Sequence, residues 1–519
     1  MPTFRLNGHD VAITGEGSLL DALRGELGLT TVKDGCSPQG QCGCCTVLID
    51  GQPRVSCVTA ARRALGRSVT TPEGLPAAAH RLAQAFDATG ASQCGFCSAG
   101  IVTRLTPLVE AGTTDRDAIG RALAAHSCRC TGWQPIIDAV AMAASGAPIE
   151  ARDPDAAARQ AELEGGVAQR SGATVALGGL RYAADQVPAG ARYLHPNGQL
   201  VESRREARAG SVPGRNSTLP LSYPCPAPEG TLRLETTYCD PAALEPDAAV
   251  ASPSELLARP ASNGGAFGAS SMAVTEDAQR MARSTGEVVA AVWSREQVVA
   301  HGTRRPPLGI SLDPDGQGTV VVPSTLEVTD RSALEAALVA AYPDVEVAVA
   351  AATGPTVSFA HRGTPFVELE VVATALGHRD QVRLPITVRH GAATVTLTTT
   401  GAIAVEVRPG QIWCAATLTS YVCGAVHQGL SWVLSEGVAI DATGAQADVT
   451  IRSFGVLPAK AMPEVRVELS SSDEPARPVS RSVLIATAAA VWLAEGLPLR
   501  WPTRTPGSLS LPLWICEDA

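Results

Sequence analysis

GCSPQGQCGCC, residues 35–45, sets four cysteines among three glycines, and QCGFCSAGIV (93–102) and HSCRCTGWQPI (126–136) bring four more. Nine of the 14 cysteines fall before residue 131. Eight of them resolve into two four-thiolate sets: Cys36, Cys42, Cys45, Cys57, and then Cys94, Cys97, Cys128, Cys130. That is the ligand count of two [2Fe-2S] clusters, and the first set approximates the C-x4-C-x2-C run with a distant fourth cysteine.

Four thiolates must converge on two irons from a loop whose backbone also turns N–H groups toward the sulfurs. Gly35, Gly40 and Gly43 permit that wrapping, because positive φ costs glycine little. Lys33 and Arg129 adjoin the ligand cysteines, where a cation would offset the cluster's negative charge. Zinc is the rival for paired C-x2-C motifs. Disulfides are the other, and they need an oxidising compartment; MPTFRLNGHD (1–10) shows no basic run followed by an apolar one, so no secretory signal is visible. Cys44 is a spare thiol expected to pack as a small apolar residue. His126, beside the second set, is expected to act as a second-sphere group, a cap or a surface residue.

Residues 1 to about 145 resemble the iron-sulfur region of the xanthine dehydrogenase or molybdenum hydroxylase family, through SLLDALRGELGLTTVKDGC (18–36), QCGFCSAGIV and HSCRCTGWQPI. The resemblance implies an α+β fold: a β-grasp ferredoxin domain over 1–75, then a four-helix [2Fe-2S]-binding domain over 76–145. The residue pattern agrees. Phe4, Leu6 and Val11, Ile13 alternate around Asn7-Gly8 as in a hairpin, and Leu19, Leu20, Leu23, Leu27 recur at helical spacing. The ranges 78–86, 100–110, 116–125 and 134–143 read as four short helices, with Thr113 or Thr114 as cap of the third. The two sets are expected to occupy separately folding units joined near 71–75.

At 519 residues, 45% hydrophobic and net charge −10, the chain is long enough for several globular units, and its acidity argues against a nucleic-acid partner. The longest apolar run, 483–494, is too short to span a bilayer. A soluble cytoplasmic protein is expected, with reducing conditions that suit thiolate ligands. ASGAPIEARDPDAAARQAELEGGVAQRSG (144–172) has weak periodicity, so 146–174 reads as a linker. Beyond it, strand-like runs such as TVVVPSTLEVT (319–329) and AATVTLTTTGAIAVEVRPG (392–410) alternate with helical ones such as RSALEAALVAAY (331–342), which gives a mixed α+β region over 175–519.

That region resembles a shortened, degenerate copy of the same family's molybdenum-cofactor portion. The matching segments run in the family's order: GGLRYAADQVP (178–188), ETTYCDPAALEPDAAV (235–250), NGGAFGA (263–269), HRGTPFVELE (361–370), YVCGAVHQGLSWVLSEG (421–437) and VTIRSFGVLPAKAMPEVRVEL (449–469). The resemblance implies molybdopterin contacts at Gly265, Phe267 and Gly268 of the glycine loop, at Arg362 and at Gln428. It also implies contacts from Gln93 and Cys130, which would join the second cluster to the pterin. A glycine-rich loop can bring backbone N–H groups against pyrophosphate oxygens. Read without the resemblance, NGGAF is a tight turn, Arg362 a surface cation and Gln428 the polar side of a helix.

Two departures stand out. Family members carry a glutamate base near the C-terminus, whereas ARPVSRSVLIATAAAVWLAEG (476–496) has Ser480-Arg481-Ser482 there, and an arginine takes no proton at neutral pH. Asp473 and Glu474 precede the position and are weak substitutes, so the catalytic group is unassigned. The segment 185–219 is also too short for the family's hammerhead domain. Among nine histidines no pair stands at i, i+3 or i, i+4, and no dinucleotide fingerprint is present, so flavin would belong to another subunit. Two readings stand: an oligomeric electron-transfer component of a molybdenum hydroxylase, working with a flavin-binding or further hydroxylase subunit, or a chain whose C-terminal region is a cofactor-less scaffold.

Overall fold

In a computed structural model of the chain, described for residues 2–208, 219–268, 272–302, 304–363, 365–447 and 449–505, the N-terminal strands form one five-stranded sheet. Its strands are β1 (Thr3–Leu6), β2 (His9–Ala12), β3 (Thr46–Ile49), β4 (Gln52–Val55) and β5 (Ser68–Thr70), in the order β2-β1-β5-β3-β4. β1 and β2 pair antiparallel from Thr3↔Ala12 to Leu6↔His9, turning at Asn7 (φ 49°) and Gly8 (φ 89°). This is the two-residue hairpin that an Asn-Gly step favours. Ser18 caps the leucine-rich helix that follows, in a reciprocal box with Asp21. The loop between that helix and β3 carries three of the first four thiols, and Cys57 sits on the turn after β4.

Four helices follow, Ala77–Ala88, Ser98–Glu110, Arg116–Ala122 and Gln134–Ala144, close to the expected ranges. The third is capped by Asp115, whose carboxylate accepts from Ala118 N at 2.7 Å, and not by Thr113 or Thr114. The acidic side chain immediately before the first turn reaches the free N–H groups that the threonines lie too far back to meet.

The two thiol-bearing units interlock instead of standing apart. A Cβ on Gly100 would lie 2.3 Å from Gly43 O, and one on Gly43 would lie 2.4 Å from the His126 ring. Ser127 N donates to Cys42 O at 3.0 Å. His126 is therefore a buried packing residue and not a surface one, with its Nε2 3.1 Å from Thr46 Oγ1. Burial, aided by Arg104, pushes its pKa down to about 3 and keeps the ring neutral.

The stretch 146–174, expected as a linker, holds the helix Pro154–Gly165. Asp153 caps it, Gly166 closes it at φ +73°, and Gln160 is buried where its Oε1 accepts from Trp413 N at 3.1 Å. Its alanine-rich composition hid a narrow buried stripe, Ala157, Gln160 and Ala161, whose middle member is polar. Among the described residues the rest of the chain adds one five-stranded and two four-stranded sheets, so the fold is α+β. The longest apolar run is the buried core of the helix Ser480–Ala494, which packs on Ala415–Leu434. No described helix is long and apolar enough to cross a membrane.

The second thiol loop seats on the 415–434 helix through glycine. A Cβ on Gly424 would fall 2.0 Å from Cys130 O, and one on Gly132 would fall 2.1 Å from Cys423 O. In an open helix, glycine to alanine gains about 1 kcal/mol. Here Gly424→Ala drives a methyl into a backbone carbonyl, and the overpacking cost of about 1–3 kcal/mol reverses the sign. A lower Tm by thermal unfolding is expected, together with an altered second-cluster spectrum; a Tm at or above wild type contradicts this packing.

Candidate functional site

The thiols of the second set meet as two pairs, and those of the first as a chain of contacts. Cys94 and Cys130 Sγ atoms are 3.4 Å apart, and Cys97 is in hydrogen-bonding contact with Cys128. In the first set Cys36 touches Cys42 and Cys57, and Cys57 touches Cys45. Two thiolates per iron is the arrangement a [2Fe-2S] cluster takes, and among the described residues no three Cys, His, Asp or Glu are placed to hold a single ion. Backbone N–H groups of Gln39 (3.1 Å) and Cys42's partner Cys36 (3.2 Å to Cys42 Sγ) point at sulfur, as the glycine-rich loop requires. None of the described cysteines is disulfide-bonded. Cys44 is a buried thiol between the sets, close to the ligands of both.

Each flanking cation is paired with a buried carboxylate. Lys33 is buried and pairs with Asp185 at 2.9 Å, donates to Leu180 O at 2.8 Å and lies under the Tyr182 ring. Arg129 grips Glu436 with both terminal nitrogens, at 2.7 and 2.9 Å. Each charge meets a buried carboxylate, because an unpaired cation in that interior would carry a large desolvation cost.

Against the second thiol pair opens a cavity of about 450 Å³, walled by sequence-distant segments. Gln93, Cys130, Gly265, Phe267, Gly268, Arg362 and Gln428 all line it. The expected contact residues are thus brought together, although Arg362 is no surface cation. Its side chain is wholly buried, its terminal nitrogens engage Glu436 and His361 Nε2, and its guanidinium stacks 4.3 Å over Trp432.

Two residues of the wall hold strained backbone. Phe267 (φ 52°) and Arg362 (φ 62°) both hold left-handed backbone, a conformation that costs non-glycine residues about 1–3 kcal/mol and persists only when surroundings impose it. They do. A Cβ on Gly268 would lie 2.0 Å from Ala360 O, so the glycine and arginine loops abut where only glycine fits. Because Arg362 can only donate, His361 Nε2 accepts at 2.8 Å, and its Nδ1–H donates to Phe267 O at 3.2 Å. Burial and the nearby arginines hold His361 neutral, well below its ordinary pKa. Arg305 braces the same loop through the carbonyls of Phe359 (3.1 Å) and His361 (2.8 Å), with its own charge met by Glu368.

Glu436 joins the cavity to the thiols. Its Oε1 and Oε2 hold Arg129, and Oε2 also takes Arg362. Burial alone would raise its pKa, but Arg129 and Arg362 outweigh it and depress the group to about 2. Sequence reading passed over Glu436, although it closes the same YVCGAVHQGLSWVLSEG segment that supplied Gln428. It also passed over Glu164 and Tyr421, which line the cavity. Arg481 reaches the cavity too, with its side chain 45% exposed, paired with Glu370 and lying 5.4 Å over the Phe366 ring. Glu474 is exposed and pairs with Arg477, and neither it nor Asp473 lines the cavity.

Residues 71–141 match the model of a [2Fe-2S] binding domain. Over 132 residues the chain is 42% identical to the nicotine 6-hydroxylase small subunit of Paenarthrobacter nicotinovorans, covering 25% of this chain and 79% of that one. It is 41% identical over 131 residues to the xanthine dehydrogenase iron-sulfur-binding subunit of Escherichia coli O157:H7, 24% of this chain and 80% of that one. The aldehyde oxidoreductase of Megalodesulfovibrio gigas is 41% identical over 143 residues, and the chain spans only 16% of its length. In three dimensions the fold follows that of an aldehyde oxidoreductase from Desulfovibrio gigas, with a TM-score of 0.70 over 99% of both chains at 15% identity.

The Glu436 bridge carries a pH signature. A depressed carboxylate contributes stability that is complete above its unfolded pKa and is lost as pH falls through its folded one, here from about 4.5 toward about 2. The shift corresponds to about 3 kcal/mol. Glu436→Gln leaves two buried guanidinium groups uncompensated, so a loss of about 3–5 kcal/mol at pH 7 is expected. Denaturant unfolding across this pH range should show the variant lacking the wild-type acid slope; equal stability of the two at pH 7 rules the bridge out as a structural element.

Proposed function

The chain belongs to the molybdenum hydroxylase family, and we propose that it is an oxidoreductase component whose cavity residues Gln93, Gly265, Phe267, Gly268, Arg362 and Gln428 would hold a molybdopterin beside the second of two four-thiol sets, each of which would hold a [2Fe-2S] cluster. The observation that carries this reading is the contact between cavity wall and thiols. A Cβ on Gly265 would lie 3.0 Å from Cys94 Sγ and 3.7 Å from Cys130 Sγ, and Cys130 itself lines the cavity. Anything bound there sits against the second cluster's ligands.

The residues present suit a pterin pyrophosphate. Gly264, Gly265 and Gly268 give close access to backbone donors. Gln428 and the Tyr421 hydroxyl have no hydrogen-bond partner among the described residues, and each faces the cavity with polar atoms to offer. Gln93 spends its Nε2 on Cys130 O (3.0 Å) and Ser420 Oγ (2.8 Å), which fixes the amide and leaves Oε1 for a ligand donor. Phe267, Val367 and Leu484 supply apolar wall that excludes water. When bound, molybdopterin supplies a metal centre able to take an electron pair from substrate. The chain's own work is to hold it, to keep the interior dry, and to set the second thiol set beside it.

From there the Gly43–Gly100 contact, with Cys44 between the sets, gives a short packed route to Cys36, Cys42, Cys45 and Cys57. The first cluster would pass electrons to a partner, a flavin-binding or further hydroxylase subunit. The scaffold reading does not account for a cavity with unused polar groups against a thiol pair.

Iron, labile sulfide and molybdenum analysis of purified protein tests this, with electron paramagnetic resonance after dithionite reduction. About four iron and four sulfide per chain, bound molybdenum and two distinct iron-sulfur signals are expected. Cys130→Ser should abolish the second signal and spare the first, whose four ligands lie within 36–57. Zinc in place of iron, a single signal at full reduction, or iron without molybdenum contradicts the reading.

A further inference from the structure

Among the residues that line the cavity, one ionisable carboxyl belongs to a helix that the sequence presents as linker. Glu164, near the end of Pro154–Gly165, reaches the N-terminus of the helix Ser480–Ala494, where the resemblance led us to expect a glutamate and the chain has Ser480-Arg481-Ser482. Its Oε2 accepts from Ser480 Oγ (2.6 Å), Ser480 N (2.9 Å) and Val479 N (3.1 Å). Its Oε1 takes only a second, longer contact from Val479 N at 3.2 Å. The two oxygens are thus unequal: one is tied to the helix and one has lone-pair capacity to spare.

We propose that Glu164 is the proton-exchanging carboxyl of the cavity, with Oε1 as the acceptor. In that step the X–H bond of a bound ligand breaks heterolytically, its electron pair stays on X, and the proton forms an O–H bond at Oε1; no electrons change hands at the residue. This rests on the reading of the cavity as the reaction site. The surroundings fit the task. Burial raises the carboxyl above its ordinary range despite the three stabilising donors, which makes it a better base than an exposed glutamate. Tyr421 stands beside it, since a Cβ on the adjoining Gly165 would lie 2.7 Å from that hydroxyl, and burial holds the phenol protonated. Arg481 also lines the cavity but is matched by Glu370, and Arg362 is matched by Glu436, so neither removes the proton-accepting role by pairing with Glu164.

The competing account is that Glu164 only caps the 480–494 helix. Glu164→Gln separates the two, because the amide oxygen still accepts from Ser480 N while the proton site is gone. Infrared pH titration of the holoprotein and of the molybdenum-free chain should show a protonated-carboxyl band that fades at a pH above the ordinary carboxylate range and is absent in Glu164→Gln. In molybdenum-loaded protein, kcat should fall about 100-fold with KM little changed, the acid limb of the pH profile should vanish, and Glu164→Asp should restore part of the rate. Unchanged Tm and unchanged cluster signals in Glu164→Gln show that the cap survives. Absence of the band in both forms, or wild-type kcat with an intact acid limb in Glu164→Gln, overturns the proposal. If the protein binds no molybdenum, the proposed function fails separately, and the band in the molybdenum-free chain still decides Glu164.

Discussion

One buried carboxylate ties the molecule together. Glu436 holds Arg129, which sits between two cysteines of the second set, and Arg362, which forms the wall of the cavity. Two guanidinium groups in a dry interior would repel each other and pay full desolvation, so the carboxylate between them is what lets both be there. The arrangement fixes a distance: the thiol loop cannot drift from the arginine loop without exposing or orphaning a charge. The left-handed Arg362 backbone and the glycine-only contact at Gly268 are held by that closure.

How much of this was legible in the chain depends on the range of the interaction. The Asn7-Gly8 hairpin and the four helices rest on local spacing and turn chemistry, and the structure reproduces both. The cavity residues Gln93, Gly265, Phe267, Gly268, Arg362 and Gln428 were reachable only through ordered resemblance, since they come from segments hundreds of residues apart that no periodicity connects. Glu436, Glu164 and Tyr421 had no such signal. Their roles come from what lies opposite them in space, and a lone glutamate at a helix end looks the same in sequence whether it is solvated or bridges two arginines.

Arg129 and Lys33 were read as cations beside cysteines, and the structure adds to each a buried carboxylate partner that is distant in sequence. The segment 146–174 read as linker because alanine-rich helices with polar buried positions show weak amphipathicity. That segment packs on the 415–434 helix and places the Glu164 carboxyl in the cavity lining.

The central claim is adjacency: a redox centre in the cavity lies against the Cys94–Cys130 pair. Electron paramagnetic resonance of partly reduced holoprotein tests it. The account predicts a molybdenum signal split by magnetic coupling to one iron-sulfur cluster, with the splitting lost in Cys130→Ser. A molybdenum signal that stays unsplit while both clusters are paramagnetic would contradict it.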